Sequence, residues 1–425
     1  MHDDDDADDE KVCGHPTVYG GLCVACGRAV KKGGIKFVPK SAAAAGPNKK
    51  KNNKVEISVA EADRMASLTR ERLDESKRLS LVLDLDHTLV ECAILARAPA
   101  TEVHELVVQG RAHQVRLRPK LGEFFDKLCG LYEPTIYTHG SREYAIAVAK
   151  LIEAQTIAKF GGRIVSRDDA PDLSAKAEKR LDRVFPGAGG TESSLVVDDR
   201  HDVWQGADLD HLVLVEPYKF FERRGLVAPY QDLDTQLAHT RRALVEIHEA
   251  YFKNGNTTAS AALKQVRSRV FSNDVLCFVA LPRDLALLRR FAVAFGATVE
   301  EDPDSATCVV VDERRRDRTA RCIRPPPKSS ASYVHLDWFW YSIWHLDRKD
   351  PARFYVPPHE IIDFPVEDHP PAKRIRRDDT NHQSTTAVVV VPDDDDAWAD
   401  DVAAEIADDV IDDDDDDDDD DDGDQ

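Results

Sequence analysis

A chain of 425 residues has room for two or three domains and a sizeable core. Its net charge of -22 is concentrated at the ends: residues 1–10 carry seven acids and residues 378–425 carry twenty-three, with no Lys or Arg in either stretch. Setting those thirty aside leaves 49 acids against 57 Lys and Arg, so the middle is about +8. A basic body between acidic ends suits an anionic partner, a phosphorylated peptide or a nucleic acid. The chain opens on Asp rather than on a basic then apolar leader, and no apolar run reaches the roughly 20 residues of a bilayer span. The expectation is a reducing, soluble compartment in which the eight cysteines are free or metal-bound rather than paired.

Residues 1–10 read as a disordered acidic start. Within 11–30, Cys13-x-His15 and Cys23-x-x-Cys26 offer three thiolates and one imidazole, with Gly20-Gly21 as the return between the pairs. That spacing suggests a closed structural zinc knuckle, the alternative being an arm of reduced cysteines. Residues 31–54, with Ala, Gly, Pro, Asn and a Lys run, read as a linker, and 55–77 as a charged lead-in helix.

The apolar run Leu79–Leu83 predicts a buried strand. It ends in Asp84-Leu85-Asp86-His87-Thr88, two carboxylates and a hydroxyl at the strand's carboxyl end, where open α/β sheets bind ligands. Such a group suits phosphoryl chemistry, one acid attacking phosphorus and the other handling a proton; the plainer alternative is an acidic turn with a capping threonine. A strand over 111–118 ends at Arg118-Pro119 before a helix over Gly122–Leu128, so Arg118 is placed either to face an anion or to lie on the surface. The β-rich run at Thr135–Tyr137 leads to Thr138, then Gly140 and a helix. Thr138 is placed either to meet a phosphate oxygen at the helix N-terminus or, like Ser141, to cap it. Lys179–Pro186 reads as a helix with a Pro stop. Ser194–Val197 is a second apolar strand ending in the pair Asp198-Asp199. Parallel strands put both acid pairs on one sheet edge, where such carboxylates repel unless a hard cation, best Mg²⁺, lies among them. Lys179 supplies positive charge there.

Together, Asp84-x-Asp86-x-Thr88, Tyr137-Thr138-His-Gly-Ser-Arg-Glu-Tyr144, Lys179…Arg183-x-Phe185-Pro186 and Asp198-Asp199-Arg200-x-Asp202-Val-Trp204 resemble the haloacid-dehalogenase superfamily. Within it they resemble the Fcp-type phosphatases of the RNA polymerase II C-terminal domain. The order holds over about residues 78–222, and the 223–262 helical extension, with Leu237, Leu244, Ile247, His248 and Tyr251, is similar too. The resemblance implies that Asp84 is the nucleophile and that Asp86 is the acid for the leaving oxygen and then the base for water. It implies phosphate contacts from Thr88, Thr138 and Lys179, and candidate substrate contacts from Arg118 and Tyr132. Mg²⁺ is then held by the Asp84 carboxylate, the Asp86 carbonyl and Asp198 and Asp199, either of the last two being the direct ligand. Glu153 stands where the family often has Asp.

Residues 264–358 form a separate α/β unit with strands at Val275–Ala280, near Val299 and at Cys308–Val311. Its helices cover Arg283–Phe295 and the aromatic run His335–Trp344. It resembles a BRCT domain, with Trp338 as core packing and Ala280 where many such domains carry a phosphate-binding hydroxyl, which points to protein docking. In 359–425, read as a disordered acidic tail, Lys373-Arg374-Ile375-Arg376-Arg377 is a candidate nuclear-localisation signal or a plain solvated linker. Trp398, Val402, Ile406 and Val410 make one apolar stripe on an acidic segment, either a partner-bound helix or a solubilising tail.

The expected architecture is therefore α/β: a Rossmann-like parallel sheet of the haloacid-dehalogenase type, a second α/β BRCT domain and disordered acidic termini. The expected function is a nuclear, Mg²⁺-dependent protein serine/threonine phosphatase of the RNA polymerase II C-terminal domain. The large subunit of TFIIF is the partner the resemblance suggests for the tail helix. Neither a membrane nor direct nucleic-acid contact is expected. The rivals are a phosphatase of the same superfamily acting on another phosphoprotein or a metabolite, and a non-catalytic BRCT scaffold. A phosphate-ester assay with and without Mg²⁺ separates enzyme from scaffold.

Overall fold

The computed structural model describes residues 13–19, 21–30, 37–39, 55–94, 103–169, 178–221, 234–255, 258–279, 285–311 and 331–356. The acidic ends, Ala280, the basic cluster at 373–377 and the Trp398–Val410 stripe lie outside these residues.

At the amino end, β1 (Thr17–Tyr19), β2 (Leu22–Cys23), β3 (Phe37–Pro39) and β4 (Val55–Ser58) form an antiparallel sheet in the order β2-β1-β4-β3. The lead-in segment thus starts as a strand, not a helix. Val55-Glu-Ile-Ser pairs with β1 and β3 on either side, and Ser58 then caps α1 (Val59–Glu75) by accepting from the Glu61 N–H. The linker likewise contributes β3 to this sheet.

The central sheet follows the expectation. β5 (Leu79–Leu83) is buried throughout, with Leu79, Leu81 and Leu83 on one core and Val82 on the other, as a strand covered on both faces requires. After it, β6 (Val90–Ile94), β7 (Val103–Val108) and β8 (Arg111–Leu117) form an antiparallel insertion of which only the last strand was predicted. Then come α2 (Leu121–Leu128), β9 (Tyr132–Tyr137), α3 (Arg142–Gln155), β10 (Ile164–Val165), β11 (Ser194–Asp198) and β12 (Leu212–Leu214). The sheet order is β10-β9-β5-β11-β12, all parallel, with β5 in the middle. The helix expected at Lys179–Pro186 is a single 3₁₀ turn, Leu181–Arg183. Lys179 instead makes a parallel bridge to Trp204, its N–H donating to Val203 O at 2.8 Å.

α4 (Gln236–Asn254) packs on α2 and lies against α5 (Ala259–Arg267). A second parallel sheet, β14-β13-β15-β16, is built from β13 (Val275–Val279), β14 (Thr298–Val299), β15 (Cys308–Val311) and β16 (Ser332–His335), with α6 (Leu285–Ala294) and α7 (Leu336–His345). Trp338 is fully buried there, its indole N–H donating to Lys349 O at 2.8 Å. The core behind Val82 and Val196 runs through Trp204 into Phe271, Leu276 and Trp338, so the two sheets share apolar packing. No helix among the described residues is long and apolar enough to cross a membrane.

Candidate active site

Strand register brings the acids together. Leu83 pairs with Val197, so the next residues, Asp84 and Asp198, emerge side by side at the carboxyl edge. The Asp84 N–H still donates to Val197 O at 3.0 Å. On the other flank Leu83 pairs with Ile136, and Thr138 follows β9 onto the same edge, its N–H on Val165 O at 3.0 Å. Ligand oxygens of Asp84, Asp198 and Asp199 lie within 4.8 Å of one another. Lys179 reaches them from the loop, its Nζ donating to Asp84 Oδ1 at 2.5 Å and Asp198 Oδ2 at 2.8 Å. This ammonium is 2 % exposed and also faces the rings of Tyr137 and Trp204.

Electrostatics follow from burial. For Asp84, desolvation is the largest influence and raises its pKa well above the ordinary range; Lys179 opposes this, while Asp198, Asp199 and Asp86 add to it. Burial likewise brings Asp199 up to about 6, with Asp198 adding. Burial alone would discharge Lys179, but Asp198 and Asp84 outweigh it and hold the amine above its usual value. Burial also raises Asp86, against the Tyr144 hydroxyl, which donates to Asp86 Oδ1 at 2.5 Å.

The loop carrying the acids is braced rather than free. His87 takes a left-handed conformation, φ 60°, held by its carbonyl on the Tyr218 N–H at 2.6 Å and its Nδ1 near Tyr218 O at 3.1 Å. Thr88 Oγ1 donates to Asp199 Oδ1 at 2.9 Å and accepts from the Asp199 N–H at 3.0 Å, locking one acid loop to the other. Asp198 is equally fixed: Trp204 Nε1 donates to its Oδ2 at 3.0 Å and the Arg200 N–H to its Oδ1 at 2.8 Å. Thr138 Oγ1 accepts from the Gly140 N–H at 3.0 Å, while Ser141 is the residue that caps α3. Glu153 accepts from the Phe160 N–H at 2.7 Å, a helix-end contact away from these acids.

The two candidate substrate contacts are both buried in this structure. Tyr132 is 1 % exposed, and its hydroxyl donates to Leu244 O in α4 at 2.7 Å, so it packs the sheet against a helix. Arg118 turns inward, 2 % exposed. Its Nε donates to Asp234 at 3.1 Å and its Nη1 to Thr88 O at 3.1 Å, so it supports the acid loop from behind. Tyr144 and Trp204 stood in the quoted motifs without a role; an aromatic in the first turn of the helix that follows Thr138 was the available signal for Tyr144.

At the amino end, Cys13, His15, Cys23 and Cys26 also converge, with ligand atoms within 4.8 Å. Cys26 Sγ lies 3.4 Å from His15 Nδ1, and Gly27 (φ 72°) makes the turn that closes the knuckle. Desolvation opposes ionisation of Cys23, but backbone N–H groups of Cys26 and Ala25, with His15, bring its thiol down to about 6.

The chain matches the family described as NLI interacting factor-like phosphatase over residues 79–255. The RNA polymerase II C-terminal domain phosphatases of Schizosaccharomyces pombe and Saccharomyces cerevisiae are each 33% identical to it, covering 49% and 50% of this chain. The match takes in 30% and 32% of those two proteins, so this chain spans about a third of their length. The RNA polymerase II C-terminal domain phosphatase-like 4 of Arabidopsis thaliana is 28% identical over 70% of this chain and 73% of its own length. A solved structure of Fcp1, described as an essential RNA polymerase II CTD phosphatase, superposes with a TM-score of 0.57 over 68% of this chain and 99% of that one. At 24% identity that likeness speaks for the fold. Over residues 79–255 this chain is thus similar to the NLI interacting factor-like phosphatases.

Proposed function

We propose that this chain is a Mg²⁺-dependent protein serine/threonine phosphatase acting on the phosphorylated heptad repeats of the largest RNA polymerase II subunit, through an aspartyl-phosphate on Asp84. The observation that carries it is the clustering of Asp84, Asp198 and Asp199 around the buried Lys179 ammonium. An all-carboxylate donor set, with no sulfur or imidazole, fits a hard cation such as Mg²⁺. Asp84, Asp198 and Asp199, with the Asp86 carbonyl, would hold it, and when bound it offsets charge on the phosphoryl oxygens. Asp84 attacks phosphorus as the seryl oxygen leaves; Asp86 gives that oxygen its proton and later takes one from the water that splits the acyl phosphate. Lys179 stays charged beside the phosphoryl group, and Thr138 at the start of the α3 loop offers it a hydroxyl.

Around this centre, residues 264–358 are read as a BRCT docking domain, a reading supported by four parallel strands and the buried Trp338. The Cys13/His15/Cys23/Cys26 group is read as a structural Zn²⁺ site, its three thiols and one imidazole fitting that ion. Such a substrate implies a nuclear place, with residues 373–377 as the import signal; the partner read for the tail is the large subunit of TFIIF.

The test is turnover of heptad peptides singly phosphorylated at each serine, with and without Mg²⁺, by the full chain and by Asp84→Asn. Metal-dependent release of phosphate by the wild type and a loss of at least about 10⁴-fold in the variant are expected. Comparable turnover by a folded Asp84→Asn protein would falsify the nucleophile assignment.

A further inference from the structure

Asp86 has two carboxyl oxygens, and one is already taken. Tyr144 donates its hydroxyl to Oδ1 at 2.5 Å, within the range of a charge-assisted O–H···O bond. The phenol is itself fixed from three sides. Tyr144 lies in the first turn of α3, 7 % exposed, with its N–H on the Ser141 cap at 3.3 Å. Beneath it is the Thr138–Gly140 loop: a Cβ at position 140 would come 2.7 Å from a Tyr144 ring carbon, so only glycine lets the ring lie there. Over it is the insertion, whose His113 ring sits 5.8 Å away and is joined to Cys92 at 3.5 Å. The phosphate-binding loop, the helix and the β6–β8 insertion therefore all act on the orientation of one hydroxyl.

We propose that Tyr144 is a positioning residue that aims Asp86 at the leaving oxygen, and that the β6–β8 insertion seats it. The phenol on Oδ1, with the Thr138 hydroxyl also bonded to this carboxyl, sets the orientation in which Asp86 meets the leaving oxygen. The step it serves is the first one: the Asp84–phosphorus bond forms, the phosphorus–Oγ bond breaks, and the Asp86 proton passes to the departing seryl oxygen. An alkoxide leaves poorly without that proton, whereas p-nitrophenolate leaves without help. A residue that only supports the fold serves both substrates equally, and one that aims the acid serves the alkyl ester selectively.

This inference rests on the phosphatase reading above, and the experiment separates the two. kcat/KM, which reports the steps through departure of the first product, is measured for a phosphoserine heptad peptide and for p-nitrophenyl phosphate. Tyr144→Phe, which keeps the ring, should lose about 30- to 100-fold on the peptide and less than about 5-fold on the aryl ester, a part of the 10²–10⁴ that general acid catalysis supplies. Asp86→Ala should discriminate in the same sense, and adding Tyr144→Phe to it should change the ratio of the two substrates by less than about 2-fold. His113→Ala should move the ratio in the same direction by a smaller factor. Equal losses on both substrates, or no selective loss on the peptide, overturn the role of Tyr144 while leaving the phosphatase intact. Failure of the wild type to hydrolyse either substrate overturns the phosphatase reading and this inference with it.

Discussion

The five-stranded and the four-stranded sheets are made of the same kind of strand, parallel, apolar and helix-covered, and they share a core. They differ in what each strand delivers past its carboxyl end. β5, β9 and β11 deliver Asp84, Thr138 and Asp198, all at least nine-tenths buried, and the loop between them adds Lys179 at 2 % exposure. β13 and β15 end on Val279 and Val311, and β16 ends on His335, which caps α7 by accepting from the Asp337 N–H. Buried charges are costly to fold around and persist where paired, which marks the first edge as a candidate site; the residues that follow β13 and β15 lie outside the described ones. Architecture alone would not have distinguished them.

The largest effects come from removing the centre of each region. Lys179→Met leaves Asp84 and Asp198 buried without their cation and should cost about 3–5 kcal/mol in metal-free denaturant titrations at pH 7. Trp338→Ala empties the second core and should cost a similar roughly 3–5 kcal/mol. Their pH responses should differ. Without Lys179 nothing opposes the burial that already raises Asp84, so the native state binds more protons there and stability is regained as pH falls from 7 toward 5. Trp338→Ala should show no such recovery. Lys179→Met should also abolish peptide turnover, whereas Trp338→Ala should retain p-nitrophenyl phosphate activity below its melting temperature. Matching pH profiles for the two variants would remove the contrast drawn here.

Arg118→Lys tests what the inward contacts of that residue do. The guanidinium spans Asp234 and the Thr88 carbonyl at once, which an ammonium cannot do. The expected loss is about 1.5–3 kcal/mol of stability, with kcat down on the order of tenfold and KM little changed because the acid loop is less well held. A selective rise in KM for phosphopeptide would instead return Arg118 to the substrate surface.

How much of this was legible in the sequence depends on how far the controlling contact lies along the chain. β5, β9 and β11 were readable as local apolar runs, and their parallel register then makes the acid edge nearly automatic. The inward contacts of Arg118 and Tyr132 were not legible, because Asp234 lies 116 residues from the first and Leu244 O 112 residues from the second. Residues 179–186 carried a helix-like pattern, but the Val203 carbonyl captured the Lys179 N–H. Val55–Ser58 joined the expected helix until pairing with β1 and β3 made it a strand. β6 and β7 have too mixed a polarity to announce themselves, and the approach of His113 in β8 to Tyr144 could not be read before the fold was known.

The smallest effect lies at the seam between the regions, where α4 meets α7. His239 and His345 stack there with ring centroids 4.1 Å apart and 12° between planes. Burial first, then His239, Lys349, Arg118 and Arg242, bring His345 down to about 3, and its buried Nδ1 has no hydrogen-bond partner. Burial lowers His239 as well, with Lys349 and Arg242 adding. The folded chain therefore keeps His345 neutral at pH values where the unfolded chain, titrating near 6.5, takes up a proton. The unfolded state binds more protons across that window, so stability is fully present above about 6.5 and is lost as pH falls toward 3. Between pH 7 and 5 the loss from this one imidazole should be about 1–2 kcal/mol. His345→Gln, which cannot charge, should flatten that part of the slope in urea titrations at pH 7, 6 and 5. Since neither imidazole touches the acid edge, p-nitrophenyl phosphate turnover at pH 7 should stay within about twofold. An unchanged slope would mean that acid weakens some contact other than the one joining the catalytic sheet to its neighbour.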